Sequence, residues 1–522
     1  MKKRFNVTGN CIPAQHYMAD TSAKFARIME MVEQGEYFTI NRPRQYGKTT
    51  TLFALLDTLQ QSGDYWPFSL SFEGVGDDAF ANEQNFCALF LDLLLSEAES
   101  WGHTELAALL TNALQEGTVS FRQLSQTITQ LATKAEKKIV LLIDEVDKSS
   151  NNQLFVSFLG MLRDKYLLRQ RAKTFHSVVL AGVHDVKSLK LKLRPDEERK
   201  YNSPWNIAAD FKVDMNFQPT EIRPMLEEYA HDRNVQVDTQ AVAERLFYYT
   251  SGYPFLVSKL CKIFDEDMLP QKTEQAWTTH DVDLAARQLV REDNPNFQEL
   301  VKNLENNREL YELTKSLVVN ERAYPFNLRE PLTNLGAAYG IFADQNGLAI
   351  HNRIYREVID DYMTVSLLVK NQDALKTEFA SGYLLPGNRL DVKKTLLKFQ
   401  ETMREEHHKD NGKFLEREGR LVFLAFLKPI LNGHGYAFKE PQTSEEKRLD
   451  VLITYHEHRY VIELKLWYGQ AAHERGLDQL ADYLDRLGLD EGFLLIFDPR
   501  ANKEWREESC LHKGKQIFAV WV

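Results

Sequence analysis

The first 215 residues alternate between short apolar runs and longer segments in which apolar residues recur every three or four positions. The apolar runs predict strands at 37–40, 65–72, 137–144 and 176–183, and the periodic segments between them predict helices. Continuous apolar runs of this length are typical of strands that are buried on both faces. This part of the chain is therefore predicted to be an α/β domain, a parallel sheet with helices on both faces.

The pattern then changes along the chain, which predicts five segments. Residues 1–215 form the α/β domain, and 216–290 carry helical periodicity without strands, as expected of a helical lid. Residues 291–370 are predicted to be helices followed by a hairpin at the sequence DQNG, a winged-helix-like module. Residues 371–392 are predicted to be a linker. Residues 393–522 return to alternating helices and strands, which predicts a second α/β domain.

A phosphate-binding signature follows the first predicted strand, in the sequence INRPRQYGKTT. Gly47, Lys48 and Thr49 fit the end of the pattern G-x-x-x-x-G-K-[ST], but Arg42 stands where the first glycine belongs. Glycine lets the backbone turn its N–H groups toward phosphate, lysine reaches the β- and γ-phosphates, and threonine places a hydroxyl on Mg²⁺. The segment is therefore a candidate ATP site with an atypical beginning.

The predicted strand IVLLID ends in one carboxylate, Asp144, and a second, Glu145, follows directly. In parallel sheets, ligands bind beyond the carboxyl ends of the strands, so both side chains are expected near the phosphate loop. We expect Asp144 to bind Mg²⁺ together with Thr49, and Glu145 to activate the attacking water.

Four stretches of the chain, INRPRQYGKTT, LLIDEVD, LAGVHDV and SGYPFL, together resemble the AAA-like ATPases of prokaryotes, which are related to the signalling (STAND-type) ATPases. That group tolerates a loop of the form R-P-R-x-x-G-K-[ST]. The resemblance covers about residues 10–290 and implies ATP with Mg²⁺, a sensor residue near His184 or Asp185, and approach of Gly252-Tyr253-Pro254 to the nucleotide. The residues it implies for nucleotide binding are Arg44, Gln45, Tyr46, Gly47, Lys48, Thr49, Thr50, Asp144 and Pro254.

An arginine finger would stabilise charge on the transferred phosphoryl group. Arg163, Arg169, Arg194 and Arg199 are all available, and the sequence does not choose between them. ATPases of this kind often oligomerise because the finger comes from a neighbouring copy. The resemblance therefore also implies a homo-oligomer.

A second candidate site lies in the sequence RLDVLITYHEHRYVIELKL, which spans residues 448–466. Twelve residues separate Asp450 from Glu463, which suits two adjacent strands joined by a turn, and Glu463 shares one strand face with Lys465. Charges among apolar residues are costly without partners, and a divalent cation between the two carboxylates would supply one. Oxygen ligands suit Mg²⁺ or Mn²⁺. Lys465 would position water and offset the negative charge that develops on a phosphodiester.

This D…E-x-K arrangement closely resembles the PD-(D/E)XK nuclease superfamily, over about residues 393–510. Gln479 and Tyr483 form the Q-x-x-x-Y of its RecB-like branch, where these residues bear on the active site and on DNA. The segment LEREGRLVFLAFLKPIL resembles the first core helix, in which Glu418 would be a further metal-linked acid and Glu416 is the alternative. Leu449 replaces the proline that is common before the first acidic residue. The resemblance implies cleavage of nucleic acid, with DNA as the expected partner.

Composition sets limits on these interpretations. With 43% hydrophobic and 27% charged residues, the 522-residue chain is typical of soluble globular proteins. We expect a cytoplasmic protein without a membrane partner, because no apolar run reaches ~18 residues and no secretory leader is recognised. The four cysteines are scattered without metal-ligand spacing. The net charge of −11 excludes a uniformly basic surface but permits a local nucleic-acid groove.

Two functions of different classes fit the sequence. The first is an ATPase fused to a metal-dependent nuclease that the nucleotide state regulates, in defence against foreign DNA or in DNA processing. The second is a nucleotide-switched regulatory protein whose nuclease fold holds nucleic acid without cutting it. The joint retention of Asp450, Glu463 and Lys465 favours the first.

Overall fold

The structure is a computed structural model, which separates into two compact units. The first unit comprises Met1–Thr314 and Ala323–Glu357, and the second comprises Lys315–Arg322 and Val358–Val522. The residues that the structure describes are 2–117, 119–146, 153–182, 207–318, 323–370, 383–387, 389–407, 412–431, 435–438, 451–467, 469–498, 500 and 503–522.

A four-stranded parallel sheet lies at the centre of the first unit, as predicted. Its strands are ordered β1-β4-β3-β2. All but the first residue of β3 are buried, which explains the continuous apolar run in the sequence. The strands are β1 (Tyr37–Asn41), β2 (Tyr65–Ser71), β3 (Lys138–Asp144) and β4 (Ser177–Gly182).

Helices pack on this sheet, and a core rich in phenylalanine joins to it the four helices that lie between β2 and β4 in the chain. Phe68 and Leu141 of the sheet pack in one cluster with Phe86 and Phe158 of the helices. The Phe86 and Phe158 ring centroids are 5.1 Å apart. The helices are α1 (Ser22–Glu33), α2 (Lys48–Ser62), α3 (Glu83–Ser100), α4 (Thr104–Gln115), α5 (Phe121–Lys134) and α6 (Gln153–Leu167).

Beyond residue 215 the described part of the first unit is mainly helical. A π-helical segment, Phe264–Met268, follows one helix. The elements are α7 (Pro219–Arg233), β5 (Gln236–Val237), α8 (Thr239–Thr250), α9 (Pro254–Ile263), β6 (Ala276–Trp277), α10 (Thr279–Arg291), α11 (Pro295–Glu305), α12 (Arg308–Val318) and α13 (Pro331–Ala338).

The hairpin expected at DQNG is present in the first unit. Strands β7 (Phe342–Asp344) and β8 (Leu348–Ile350) pair antiparallel, and helix α14 (Arg353–Lys370) follows them. Asn346 and Gly347 both have positive φ, which the tight turn requires. No described helix is both long and apolar enough to cross a membrane.

The second unit contains a six-stranded mixed sheet in the order β11-β12-β13-β14-β16-β15. Strands β11, β12 and β13 form an antiparallel meander, and β14 and β16 continue parallel to β13. The elements are β9 (Leu384–Leu385), β10 (Arg389–Leu390), α15 (Val392–His407), α16 (Gly412–Leu431), β11 (Gly435–Phe438), β12 (Val451–Tyr455), β13 (His458–Leu466), α17 (Gln470–Leu487), β14 (Glu491–Phe497), β15 (Glu507–His512) and β16 (Lys515–Trp521).

The two faces of strand β13 pack in different cores. Ile462 and Leu464 belong to the cluster formed with α15 and α16, whereas Val461 belongs to the cluster formed with α17. Side chains alternate along a strand, so Glu463 and Lys465 lie on the α17 side together with Val461. The candidate nuclease residues therefore face a single helix.

Candidate functional site

The phosphate-binding signature lies where β1 leads into α2. Gly47 is the N-cap of α2, with φ 74° and ψ 20°, and Gln45 also has a positive φ of 58°. A β-carbon at Gly47 would meet no atom within 4 Å. The left-handed turn, the open space and the helix N-terminus together fit a bound phosphate group.

Lys48 is buried within the same loop, although it is the first residue of α2. Its Nζ donates hydrogen bonds to the carbonyl oxygens of Arg42 and Pro43, each at 3.0 Å. The ammonium is thus held over the loop backbone, where a bound phosphate would need a positive charge. This placement is compatible with the role predicted for Lys48.

Arg42, which stands in place of the usual first glycine, makes its contacts with a distant part of the first unit. Its Nη2 donates to the Val213 carbonyl oxygen at 2.6 Å, and its guanidinium lies 5.2 Å from the centroid of the Phe211 ring. Burial lowers the pKa of the Arg42 guanidinium. Arg42 therefore anchors the start of the loop to the segment that follows β4.

The structure brings the two predicted Mg²⁺ ligands of the first unit together. The Thr49 hydroxyl donates to Asp144 Oδ2 at 2.7 Å, because α2 begins beside the carboxyl end of β3. The other carboxylate oxygen of Asp144 accepts the Glu145 backbone N–H at 2.9 Å, and Glu145 has a left-handed φ of 54°. A hydroxyl and a carboxylate oxygen are the hard ligands that Mg²⁺ prefers, so this pair fits the ion.

The structure shows where some of the other residues predicted around the nucleotide lie. Thr50 accepts the backbone N–H of Cys11 at 3.2 Å, which connects the N-terminal segment to α2. Arg169 lies 3.7 Å from the ring centroid of the neighbouring Tyr166, and Arg163 lies in α6. Outside the described residues lie His184, Asp185, Arg194 and Arg199.

In the second unit, Glu463 and Lys465 form a close ion pair. Lys465 Nζ lies 2.7 Å from Glu463 Oε1, with Glu463 2% exposed and the Lys465 side chain 34% exposed. Gly476 of α17 packs beside the Lys465 side chain, because a β-carbon there would lie 3.7 Å from Lys465 Cγ. The buried Glu463 carboxylate and the partly exposed Lys465 ammonium together form a charged site on the α17 face of the sheet.

Helix α17 also carries the predicted Q-x-x-x-Y residues. Gln479 and Tyr483 follow Gly476 by three and seven residues, so all three share one helix face. Tyr483 is buried in the cluster that contains Val461, and Gln479 is half-buried.

Two acids predicted for this site cannot be placed around it. Asp450 lies outside the described residues, directly before Val451, which pairs with Ile462. Glu418 and its alternative Glu416 lie in α16, but their side chains are not among those described. Within the described part of the chain, no three His, Cys, Asp or Glu residues are grouped to hold a metal ion.

Comparison with models of protein families identifies the family of this chain. Residues 12–357 match the family model described as an AAA-like domain. The chain belongs to this AAA-like family. Comparison with curated proteins yields no match.

Among solved structures, the AAA-like chain is similar to the RuvB Holliday junction branch migration motor of Thermotoga maritima, with a TM-score of 0.35 and 15% identity over 65% of this chain and 95% of that chain. It is also similar to the Aeropyrum pernix ORC2 protein in ADPNP-ADP complexes, with a TM-score of 0.37 and 13% identity over 69% and 96% of the two chains. The Aeropyrum pernix ORC1 protein in complex with DNA gives a TM-score of 0.31 and 12% identity over 67% and 94%.

The SGYP turn of the AAA-like domain contacts the phosphate loop through its tyrosine. The Tyr253 hydroxyl donates to the Arg44 carbonyl oxygen at 2.6 Å, whereas Pro254 is the first residue of α9. Gly252 closes the turn against Phe217, whose N–H donates to the Gly252 carbonyl at 2.7 Å. Within this turn, Tyr253 rather than Pro254, the residue chosen for nucleotide binding, makes the contact with the loop.

Gly252 is expected to be essential for the stability of this contact. Its φ is +75°, and a β-carbon would lie 2.1 Å from the Phe217 carbonyl oxygen. Gly63 has the same φ of +75° but open space around it, so Gly63→Ala should cost roughly 1–2 kcal/mol of unfolding free energy. Gly252→Ala should cost about 2 kcal/mol more, because the clash adds to the strain. Urea unfolding of both variants measures the difference, and equal losses would contradict this account.

A second group of contacts joins the loop to the segment 295–357 of the AAA-like domain. Gln45 Oε1 accepts a hydrogen bond from Asn296 Nδ2 at 2.8 Å, and the Tyr46 hydroxyl lies 2.8 Å from His351 Nε2. A β-carbon at Gly340 would approach Pro43 Cγ to 2.8 Å. The side chains of Gln45 and Tyr46, predicted to bind nucleotide, thus contact protein in this structure.

Arg44 lines a cleft beside these contacts. Its Nε lies 3.1 Å from Glu299 Oε1, and its side chain is 68% exposed. The cleft is also lined by Tyr253, Asn296, Glu299, Tyr339 and Tyr355. The side chains of Arg44 and Gln45 are thus exposed, whereas Tyr46 is buried.

The Tyr46–His351 contact predicts a pH dependence. Burial lowers the pKa of His351 to about 4, whereas an unfolded histidine titrates near 6.5. The unfolded chain therefore binds this proton first, so stability is lost as the pH falls from about 6.5 toward 4. Between pH 7 and pH 5 the loss should be about 2 kcal/mol.

A comparison of wild type with His351→Gln isolates this histidine from other titrating groups. The variant is expected to be less stable at pH 7 but to lose about 2 kcal/mol less than wild type on acidification to pH 5. Urea unfolding at both pH values measures this. Parallel pH profiles for the two proteins would show that His351 does not titrate as a buried neutral residue.

Proposed function

We propose that this AAA-like protein binds and hydrolyses ATP and that its second unit is a metal-dependent nuclease, which cleaves nucleic-acid phosphodiesters under control of the nucleotide state. The observation that carries the nuclease proposal is the buried Glu463 beside Lys465 on the α17 face of β13. We further propose DNA as the substrate, assembly into a homo-oligomer, and a cytoplasmic location. Defence against foreign DNA or DNA processing would suit this combination.

The ATPase proposal rests on family membership and on four residues of the phosphate site. Lys48 would hold the phosphates against the loop, and Thr49 and Asp144 would hold Mg²⁺. Mg²⁺ supplies positive charge that offsets the charge of the phosphates when it is bound. Glu145 would orient the attacking water and accept its proton at the side-chain carboxylate.

The nuclease proposal is supported by the topology around Glu463 and Lys465. A helix, three antiparallel strands, a second helix and a parallel strand follow one another in the order α16-β11-β12-β13-α17-β14. Glu463 would hold the metal together with Asp450, which enters the proposal from the sequence motif. The metal lowers the pKa of bound water when present. Lys465 would place its ammonium at the phosphodiester and offset negative charge there.

Regulation by nucleotide is supported by the contacts of the phosphate loop. Tyr253 contacts the Arg44 carbonyl, Asn296 contacts Gln45, and His351 contacts Tyr46. A change in loop conformation on nucleotide binding would have to break or move these contacts. The chain continues from this region into the second unit, so a conformational change caused by the nucleotide could be transmitted along the chain to the nuclease.

The proposal is tested by incubating the full chain with single-stranded and duplex DNA. Mg²⁺ or Mn²⁺ is supplied with ATP, with a non-hydrolysable analogue, or without nucleotide, and EDTA serves as the metal-free control. We expect cleavage only with metal, at a rate that depends on the nucleotide. A protein that binds DNA but never cuts it under any of these conditions would instead be the non-cleaving regulatory protein.

A further inference from the structure

The α17 face of β13 continues past the candidate nuclease pair to an aromatic residue. The Trp467 N–H donates to the Phe497 carbonyl oxygen at 2.9 Å, so the chain is still in register with β14 beyond the last residue of β13. The Trp467 ring lies 5.9 Å from His473 of α17 and packs on the cluster that contains Val461. Trp467 therefore follows Glu463 and Lys465 on one face, about 7 Å along the strand from Lys465.

Two arginines surround this tryptophan. The guanidinium carbons of Arg500 and Arg506 lie 5.8 and 5.5 Å from the Trp467 ring centroid. Arg506 stacks more closely on Trp521, at 4.1 Å, and Trp521 in turn lies 6.1 Å from Trp467. The arginines thus lie within cation–π range of Trp467 without stacking tightly on it.

Arg500 is fixed in place although its side chain is 60% exposed. Its Nη2 donates to Asp498 Oδ2 at 2.6 Å and its Nε donates to Asp498 Oδ1 at 2.9 Å. These hydrogen bonds hold the pKa of the buried Asp498 carboxyl below its usual value. A guanidinium held by a buried carboxylate is oriented before any ligand arrives, which reduces the ordering cost of binding.

Indole faces and guanidinium groups are the chemistry that recognises unpaired nucleotides. Bases stack on aromatic side chains when they are not already stacked in a duplex, and arginine contacts the neighbouring phosphates. Glu474 and Glu508 also lie near His473, so the region is not simply a basic patch. Stacking on the ring therefore has to supply much of the binding free energy.

We propose that Trp467, with Arg500 and Arg506, binds an unpaired nucleobase and the adjoining phosphate of a single-stranded nucleic acid next to Glu463 and Lys465. The position relative to the cut rests on the proposed nuclease function. The proposed binding of single-stranded nucleic acid does not rest on the nuclease function, because this binding can be measured without cleavage. The alternative is that Trp467 only packs on Trp521 and serves the core of the second unit.

The test uses the full chain and a fluorescein-labelled oligothymidylate, followed by fluorescence anisotropy in EDTA so that no cutting occurs. Trp467→Ala should weaken binding by about 5- to 150-fold, the effect of losing one base–aromatic stack. Trp467→Phe keeps a ring and should remain within a few-fold of wild type. Matched controls are Trp101→Ala, at an exposed tryptophan of the first unit, and Arg459→Ala, at an exposed arginine near the opposite end of β13.

A second variant separates binding from folding. Trp467→Leu keeps apolar bulk for packing but removes the aromatic face, so it should lose affinity as Trp467→Ala does while its thermal unfolding stays close to wild type. Unchanged oligothymidylate affinity in Trp467→Leu would overturn the proposal, as would an equal loss of affinity for a matched duplex. If the chain never cuts DNA but its oligothymidylate binding depends on the Trp467 ring, the nuclease proposal fails and this one stands.

Discussion

Replacing Glu463 with glutamine is expected to reduce DNA cleavage by about 100- to 1000-fold, the range for losing one charge-stabilising group at a reaction centre. The glutamine keeps the shape of the side chain but removes the negative charge that a divalent metal needs. It also removes the ionic partner of Lys465, which lies 2.7 Å away. ATP hydrolysis should remain within about twofold of wild type, because the phosphate site lies in the other unit.

The matched control for this experiment is Glu457→Gln. Glu457 lies between β12 and β13 and is exposed, so neutralising it removes the same charge from the surface of the same unit. Cleavage of labelled DNA and release of phosphate from ATP are measured for both variants, with thermal unfolding as the check on folding. Cleavage that survives Glu463→Gln undiminished would exclude Glu463 from the reaction.

Lys48→Ala is expected to weaken ATP binding by at least about 100-fold and to remove detectable ATP hydrolysis. A buried charged partner that loses its counterpart typically costs 2–5 kcal/mol, and each 1.4 kcal/mol is tenfold in affinity. Lys48 is the buried cation whose ammonium lies over the loop backbone, bonded to the carbonyls of Arg42 and Pro43. Any DNA cleavage by this variant should no longer respond to ATP.

Lys134→Ala provides the comparison, because Lys134 is an exposed lysine in the last turn of α5. ATP affinity is measured by calorimetry for both variants and for wild type. Equal affinity of Lys48→Ala and wild type would show that the GKT segment does not bind phosphate, and the ATPase proposal would fail. Loss of affinity in both variants would point to a general effect of charge on ATP binding.

Much of the first unit could be predicted because its signals are local. The run IVLLI is apolar throughout because β3 is buried in the sheet, and Asp144 is the last residue of the strand, at the edge of the sheet. The nearness of Thr49 to Asp144 then follows from parallel topology alone. Glu463 and Lys465 could likewise be assigned to one strand face from their spacing.

The contacts around the loop could not be predicted, because they join residues that are far apart in the chain. Asn296 and His351 are separated from Gln45 and Tyr46 by 251 and 305 residues. A lone histidine or asparagine carries no sequence signal for such a partner. The last two strands, β15 and β16, were also missed; the sequence of β15, EESCLH, is largely exposed and lacks an apolar face.

The hydrogen bonds of Gln45 and Tyr46 carry a thermodynamic consequence of their own. Linkage is reciprocal, so if ATP binding changes the affinity of a partner for segment 295–357 by some factor, that partner changes the affinity for ATP by the same factor. A partner bound to that segment would then act as an effector of the nucleotide site without touching it. A loop with small residues at positions 45 and 46 would lack the side-chain contacts through which such an effector could act.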